Sequence, residues 1–173
     1  MAGSLVLIQE TTVSSGVSAV TLTGITSDFN VYKVIANNVQ IDTDSQPVKK
    51  RFTVSGSAVT SSSYDMAFLR LRAENTFQDK NATNQDSFGN LDSIGTATNE
   101  QLNETIYIFN ATNSSEFTFA THEAVMTIHD SSHCHGIAGG VVLTETSVVD
   151  GITFFAGSGN IDAGTFKLYG LVK

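Results

Sequence analysis

The sequence closes on the stretch Gly157-Ser-Gly-Asn-Ile-Asp-Ala-Gly-Thr-Phe-Lys-Leu-Tyr-Gly-Leu-Val-Lys173. Residues 157–164 are rich in glycine and polar residues, a composition typical of a loop tip. In the remainder, residues that favour a buried face alternate with others, and successive side chains of a β-strand point to opposite faces. The stretch therefore predicts a turn that leads into a strand, with Phe166, Leu168 and Gly170 together on one face.

The rest of the chain carries similar strand patterns. Short alternating runs recur at spacings of roughly 8 to 15 residues, and no window sustains the 3.6-residue apolar period of an amphipathic helix. Predicted strands cover residues 5–8, 17–22, 29–36, 50–54, 64–71, 105–109, 117–120, 124–128, 139–144, 152–155 and 165–172. The pattern predicts an all-β fold, an antiparallel β-sandwich of jelly-roll type with about ten short strands. A chain of 173 residues fits a single domain, residues 1–173, with a core of its own.

Residues 73–103 interrupt the strand pattern. They are polar, with a few scattered apolar residues, and they predict a polar excursion between strands rather than a second domain. Phe77 and Phe88 within the excursion are candidate contacts for a partner, because exposed aromatic side chains mark interfaces. Tyr64, at the start of a predicted strand, is a third candidate, although a place at the edge of the core is the favoured interpretation for it.

The charge of the chain argues against nucleic acid as a partner. The net charge is −8, whereas phosphate binding needs clustered Lys and Arg side chains. The one basic run, Lys49-Lys50-Arg51, is interpreted as a solvated strand edge that discourages unwanted pairing. Charged residues make up 15% of the chain, well below the roughly 25% of an average globular protein, so hydroxyl and amide groups must supply much of the surface.

No membrane segment or export signal is predicted. No apolar run approaches the roughly 20 residues of a membrane-spanning helix. Residues 1–10 have neither the basic start nor the long apolar stretch of a signal peptide, so we expect the protein to be made and kept in a cytoplasm. The lone Cys134 fits that expectation, since it cannot form a disulfide within the chain.

The segment His129-Asp-Ser-Ser-His133-Cys-His135 is the sharpest candidate metal site. Imidazole and thiolate groups at close spacing can bind zinc, and His129, His133, Cys134 and His135 are the candidate ligands. Neighbouring residues of a strand face opposite sides, however, and structural zinc sites usually space their ligands in separated pairs. A polar turn or an oligomer contact is therefore the favoured interpretation.

No catalytic residue and no cofactor are predicted. The chain has no G-x-S-x-G motif, and a Cys or Ser near a His in sequence does not by itself make a catalytic triad. The pair Asp42 and Asp44 could offer oxygen ligands to calcium, but two carboxylates without the rest of a ligand set favour a solvated loop.

Both ends of the chain resemble a known family. Residues 157–173 resemble the closing strand of small jelly-roll proteins and domains of tailed bacteriophage particles, which end on a similar SGN-I-x-x-GTF-x-LYG phrase. Residues 13–25, with their TGI turn, followed by 29–32 and the Asn-Val pair at 38–39, look like the opening of that family. Residues 148–154 look like its penultimate strand, whereas the excursion at 73–103 has no recognisable counterpart.

The resemblance implies a non-enzymatic structural protein on the outer surface of a virion, assembled in the host cytoplasm. It implies first a capsid decoration or cement protein that binds the major capsid protein or a neighbouring virion protein, as a homo-oligomer with a trimer favoured. The alternative is a tail or tail-fibre module that contacts a host-surface glycan or receptor, because a fold alone does not decide function. A sugar-cleaving enzyme is a third and weaker alternative.

Overall fold

The structure of the protein is a computed structural model, which describes residues 4–74, 76–89, 92–129 and 133–172. The regular elements that these residues form are all β-strands. None of the described residues belongs to a helix long and apolar enough to cross a membrane. The strands are β1 (Leu5–Val13), β2 (Val20–Thr23), β3 (Val31–Ile41), β4 (Val48–Val54), β5 (Ser57–Ala58), β6 (Tyr64–Arg72), β7 (Gln78–Gln85), β8 (Phe88–Gly89), β9 (Leu102–Phe109), β10 (Thr118–Thr127), β11 (Cys134–Leu143), β12 (Gly151–Ala156) and β13 (Ile161–Leu171).

The strands form two sheets, which confirms the predicted all-β sandwich. The large sheet has the strand order β1-β13-β3-β9-β10-β11-β6-β7, and the small sheet has the order β2-β12-β4-β5, with β8 paired to β4. All of these pairs are antiparallel. One hydrophobic core, built from the inner faces of both sheets, lies between them.

The closing strand β13 lies well inside the large sheet, between β1 and β3. Its alternation is as predicted, since Phe166, Leu168 and Gly170 are all buried on the inner face. Gly170 is required there, because a β-carbon at this position would overlap the ring of Phe29. The preceding turn contains Gly159 at φ +74°, a conformation that glycine adopts without strain.

Tyr64 and Phe88 both belong to the core, so neither is an exposed contact for a partner. This agrees with the favoured interpretation of Tyr64, whereas the prediction for Phe88 is wrong. Together with Phe52 they form a packed aromatic group with ring centroids 5.0 to 6.1 Å apart. Phe88 is buried because the short strand β8 pairs with β4 and folds the polar segment back against the small sheet. The Tyr64 hydroxyl accepts a hydrogen bond from the backbone amide of Phe52, which satisfies its polar end inside the core.

Residues 73–103 are more regular than the sequence suggested. They contain β7, a strand of eight residues that pairs with β6 and forms one edge of the large sheet. Most of its side chains are exposed or half-buried, so the strand has no apolar alternation that could reveal it. Ile94, in contrast, is buried and forms an isolated bridge with Gln46, which anchors the second half of the segment to the sandwich.

Candidate functional site

A cluster of three ionisable side chains lies between the two sheets. Lys50 reaches inward from β4 of the small sheet, while Glu104 and His122 reach inward from β9 and β10 of the large sheet. The Lys50 ammonium nitrogen Nζ lies 2.6 Å from Glu104 Oε2, and His122 Nε2 lies 2.7 Å from the same oxygen. All three residues are buried, so the cluster is shielded from water.

Strand alternation places these residues inward among apolar neighbours. Glu104 lies between the buried residues Leu102 and Ile106 of β9, and Lys50 lies between Val48 and Phe52 of β4. The interpretation of Lys49-Lys50-Arg51 as a solvated strand edge is therefore wrong for Lys50, which has 0% exposure. No sequence motif identifies the cluster, because Lys50 and His122 are 54 and 18 positions from Glu104 in the chain. The three residues come together only when the sheets pack.

Burial and mutual attraction oppose each other in setting the pKa values of the cluster. Desolvation lowers the pKa of Lys50, although the Glu104 charge acts against that shift. Desolvation also lowers the pKa of His122, and the nearby Lys50 charge adds to this effect, so the imidazole is held neutral. For Glu104, burial alone would raise the pKa, but the charge of Lys50 and the hydrogen bond from His122 outweigh it and the net pKa is lowered.

Two buried atoms of the cluster have no hydrogen-bond partner in the protein. They are Glu104 Oε1 and His122 Nδ1. Lys50, in contrast, also donates to the Val48 carbonyl at 3.2 Å, and its nitrogen lies 5.9 Å from the centre of the Phe154 ring. An unpaired polar atom in a dry core costs roughly 1 to 3 kcal/mol, so the cluster is not optimised for stability alone.

The candidate metal ligands do not converge on one point. Cys134 and His133 are exposed, whereas His135 is buried on the opposite face of β11, as expected for neighbours in a strand. His129 Nδ1 lies 3.4 Å from the Ser93 carbonyl oxygen. Among the residues with described positions, no group of three His, Cys, Asp or Glu side chains could hold a metal ion.

His135 instead lies at the centre of a network of charged groups. Its Nε2 is 2.8 Å from a Glu74 carboxylate oxygen, and its Nδ1 is 3.1 Å from an Asp92 oxygen. Arg72 pairs with Glu74 at 2.7 Å, and Arg70 pairs with Asp92. The hydrogen bond with His135 lowers the pKa of Glu74 to about 2. The network ties the start of the 73–103 segment to β6 and β11.

The Asp42 side chain bridges two loops and is not presented for a calcium ion. Its oxygens accept hydrogen bonds from the backbone amide and the side-chain amide of Asn160, both at 2.8 Å. These contacts, with a further one from Thr43, lower the pKa of Asp42. Asp42 thus fixes the turn that precedes β13 against the loop that follows β3.

The outer face of the large sheet exposes large apolar side chains. Alternation directs Leu69, Phe119 and Val125 outward, and their exposures are 43%, 42% and 48%. Among the large hydrophobic residues that the structure describes, Phe77, in the connection between β6 and β7, is the most exposed, at 64%. The prediction that Phe77 is exposed is therefore confirmed, while its role as a partner contact stays a prediction.

Small residues of β11 leave two shallow concavities on this face. Gly136, Ala138 and Gly140 alternate outward between the larger side chains of β10 and β6. A concavity of about 570 Å³ lies near Gly140, and its lining includes Ala67, Phe109, Phe119 and Val142. A second, of about 450 Å³, lies near Gly136, and its lining includes Leu71, Phe77, Val125 and Cys134. We call the exposed face that contains Leu69, Phe109, Phe119 and Val125, with Phe77 beside it, the outer apolar face.

The comparisons with known proteins found no match. No protein-family model, no curated protein and no solved structure matches the chain. The resemblance of residues 13–39 and 148–173 to phage jelly-roll proteins therefore rests on the quoted sequence phrases alone.

Proposed function

We propose that this protein is a non-enzymatic structural component of a bacteriophage particle, a sandwich of jelly-roll type on the outer capsid surface. In this role it acts as a decoration or cement protein that binds the major capsid protein or a neighbouring virion protein. A symmetric homo-oligomer, with a trimer favoured, would repeat the contact around a symmetry axis. The resemblance of both chain ends to phage jelly-roll proteins motivates the proposal.

The outer apolar face is the observation that supports this function most. Leu69, Phe119, Val125 and Phe77 expose large apolar side chains on or beside one sheet face. Scattered apolar residues are normal on a protein surface, whereas several on one face are typical of a binding surface. Each square ångström of apolar surface removed from water contributes roughly 25 cal/mol, so a contact repeated over many copies would stabilise a particle substantially.

The alternative function is a tail module that binds a host-surface glycan. The observation that favours it is the concavity near Gly140, where the aromatic residues Phe109 and Phe119 meet the polar residues Asn81 and Thr121. Sugars bind to aromatic faces flanked by amides and hydroxyls, which is the chemistry found at this end of the face. The other concavity, near Phe77, contains one aromatic residue and no Asn or Thr side chain in its lining, so this argument for a glycan applies only to the concavity near Gly140.

Binding to particles that lack the protein tests both functions. The purified full chain is mixed with such particles, and the bound fraction is measured by sedimentation for the wild type, for Phe119→Lys with Val125→Lys, and for Ser57→Lys. Ser57 is an exposed polar residue of the small sheet and serves as the control. We expect the wild type and the control to bind and the double variant to lose at least about tenfold in affinity, as for a core interface position.

Two results would overturn the decoration function. One is a wild-type protein that does not bind particles and is absent from them. The other is binding that the double variant leaves unchanged, because the outer apolar face would then not be the contact. Binding of the wild type to host polysaccharide but not to capsids would support the tail module instead.

A further inference from the structure

We infer that Lys50 and Glu104 condense into an intramolecular amide, a covalent link between the two sheets, with His122 as the proton carrier. The inference concerns the core of the protein and is independent of the proposed function. It rests on the distances within the buried cluster, on the unpaired atoms there, and on the chemistry of an amine beside a carboxyl group in a dry site.

The fold holds the two reacting groups against each other. Lys50 Nζ lies 2.6 Å from Glu104 Oε2, and the carboxyl carbon that the amine would attack is one bond further. Both residues extend from strands inside sheets, so neither side chain can turn to solvent. Groups held in this way react as if one were present at roughly 10⁵ to 10⁸ M, which favours condensation over hydrolysis.

The ion pair is the resting state of the cluster, and the dry site lowers the cost of reaching the uncharged and reactive forms of the two groups. In water a lysine is protonated and a carboxylate is ionised, and this ion pair does not condense. Burial penalises charge, so transfer of one proton from the Lys50 ammonium to Glu104 produces a neutral amine beside a neutral carboxylic acid. A desolvated lysine is a recognised nucleophile in proteins for this reason.

His122 is placed to move the second proton. The amine attacks the Glu104 carboxyl carbon and must lose a proton, while the departing oxygen must gain one. His122 Nε2 lies 2.7 Å from Oε2, and its Nδ1 has no competing partner in the protein. Once the amine has attacked, its nitrogen and Oε2 are bonded to the same carbon. His122 Nε2 can then take the proton from that nitrogen and give it to Oε2, which leaves as water. Overall, one ammonium and one carboxylate become one amide and one water, without an oxidant, a reductant or another reactant.

The product suits the site better than the ion pair does. An amide carries no charge, so the cost of burying two charges disappears. The amide N–H retains the Val48 carbonyl as an acceptor, which Lys50 Nζ already contacts at 3.2 Å. The link would join residues 54 positions apart in the chain and connect β4 directly to β9.

The intact mass of the full-length protein tests the inference. We expect the purified wild type to be lighter than its sequence mass by one water molecule. Tryptic digestion of the denatured protein should give a branched fragment that joins Lys50 to the peptide containing Glu104, because trypsin does not cleave after an acylated lysine. Lys50→Met should restore the full sequence mass, whereas Lys49→Met, the matched control at the neighbouring lysine, should retain the loss.

The rate of the mass change tests the part played by His122. The attacked carbon is tested separately with Glu104→Gln. In that variant the same reaction releases ammonia rather than water, so the mass loss becomes that of ammonia. Because the purified wild type should already be linked, the rate is followed by mass from the time of synthesis in a cell-free reaction. There His122→Gln should form the link at least about 100-fold more slowly than the wild type, the usual contribution of a proton-transfer group. A wild type that keeps its full mass, with Lys50 as readily acetylated in the denatured protein as other lysines, would overturn the inference. So would a link that joins other residues.

Discussion

Phe68 meets His122 edge-on, with ring centroids 5.5 Å apart and an interplanar angle of 83°. The two residues lie on β6 and β10, on either side of β11, and Gly139 of β11 lies between them. Because Gly139 has no side chain, the Phe68 ring can lie over it and reach the imidazole. The Phe68 ring therefore covers one side of His122 within the buried cluster.

Gly139→Ala should destabilise the protein. The new β-carbon would overlap the Ala67 carbonyl oxygen and the Phe68 ring, and backbone atoms cannot move aside cheaply. We expect a loss of about 1 to 3 kcal/mol in the free energy of unfolding, the usual cost of overpacking, measured by urea denaturation. Gly140→Ala is the matched control, because its β-carbon would meet only the Ala120 oxygen, at 3.7 Å. Equal losses in both variants would contradict this packing.

Glu104→Leu should destabilise the protein strongly, because it leaves Lys50 buried without the carboxyl group that pairs with it and that it would join in an amide. Removing one member of a buried ion pair costs about 3 to 5 kcal/mol. The free energy of unfolding from chemical denaturation measures the loss, with Glu123→Leu as the control at an exposed position of β10. A loss below about 1 kcal/mol would mean that water reaches the cluster, since exposed pairs contribute no more than that.

His122 should make the protein less stable as the pH falls from 7 to 5. Its pKa in the fold lies below the ordinary value of 6.5, chiefly through desolvation, so below that pH the unfolded chain binds a proton that the folded chain does not. Stability then decreases as protons are added. His122→Gln should flatten this part of the curve of unfolding free energy against pH, whereas Thr121→Gln, at an exposed position of the same strand, should leave it unchanged. An identical slope in both variants would show that His122 is not held neutral.

The His135 network should position Phe77. Glu74, three residues before Phe77, contacts both His135 and Arg72, and Gln78, which follows it, accepts a hydrogen bond from Arg70 at 3.0 Å. The chain has no tryptophan, so Phe77→Trp introduces a single fluorescent reporter at an exposed position. We expect His135→Leu to lower the fluorescence anisotropy of that reporter, because Glu74 and Asp92 lose a shared partner.

The control for the reporter experiment is Cys134→Ser in the same Phe77→Trp background. Cys134 is next to His135 but lies on the exposed face of β11, outside the network. Its substitution should leave the anisotropy unchanged. An equal decrease in both variants would mean that the end of β11, and not the network, holds the Phe77 segment in place.

Alternation in the sequence was sufficient to predict the strands that have one face in the core. Residues 105–109 and 165–172 show this, since their buried and exposed positions are those of β9 and β13. Strand β7 was missed because most of its side chains are polar and lie outside the core. Only its backbone hydrogen bonds to β6 make it a strand, and these leave no pattern of apolar residues in the sequence.

The candidate site was harder to predict than the fold. Lys50 stands in a basic run, and only the packing of the two sheets shows that it points inward to Glu104. Phe88 stands in a polar segment, and the pairing of β8 with β4 is what buries it. One signal was available at Glu104, a charged residue at a position that alternates with Leu102 and Ile106, where an apolar residue is expected.

The central claim is that the outer apolar face joins this protein to a phage particle. Its most direct test is a three-dimensional reconstruction of the particles of the virus whose genome encodes the chain. The proposed function requires density for this sandwich on the capsid surface, with Phe119 and Val125 against a neighbouring virion protein. Particles that lack the chain, or an outer apolar face turned to solvent in every copy, would contradict it.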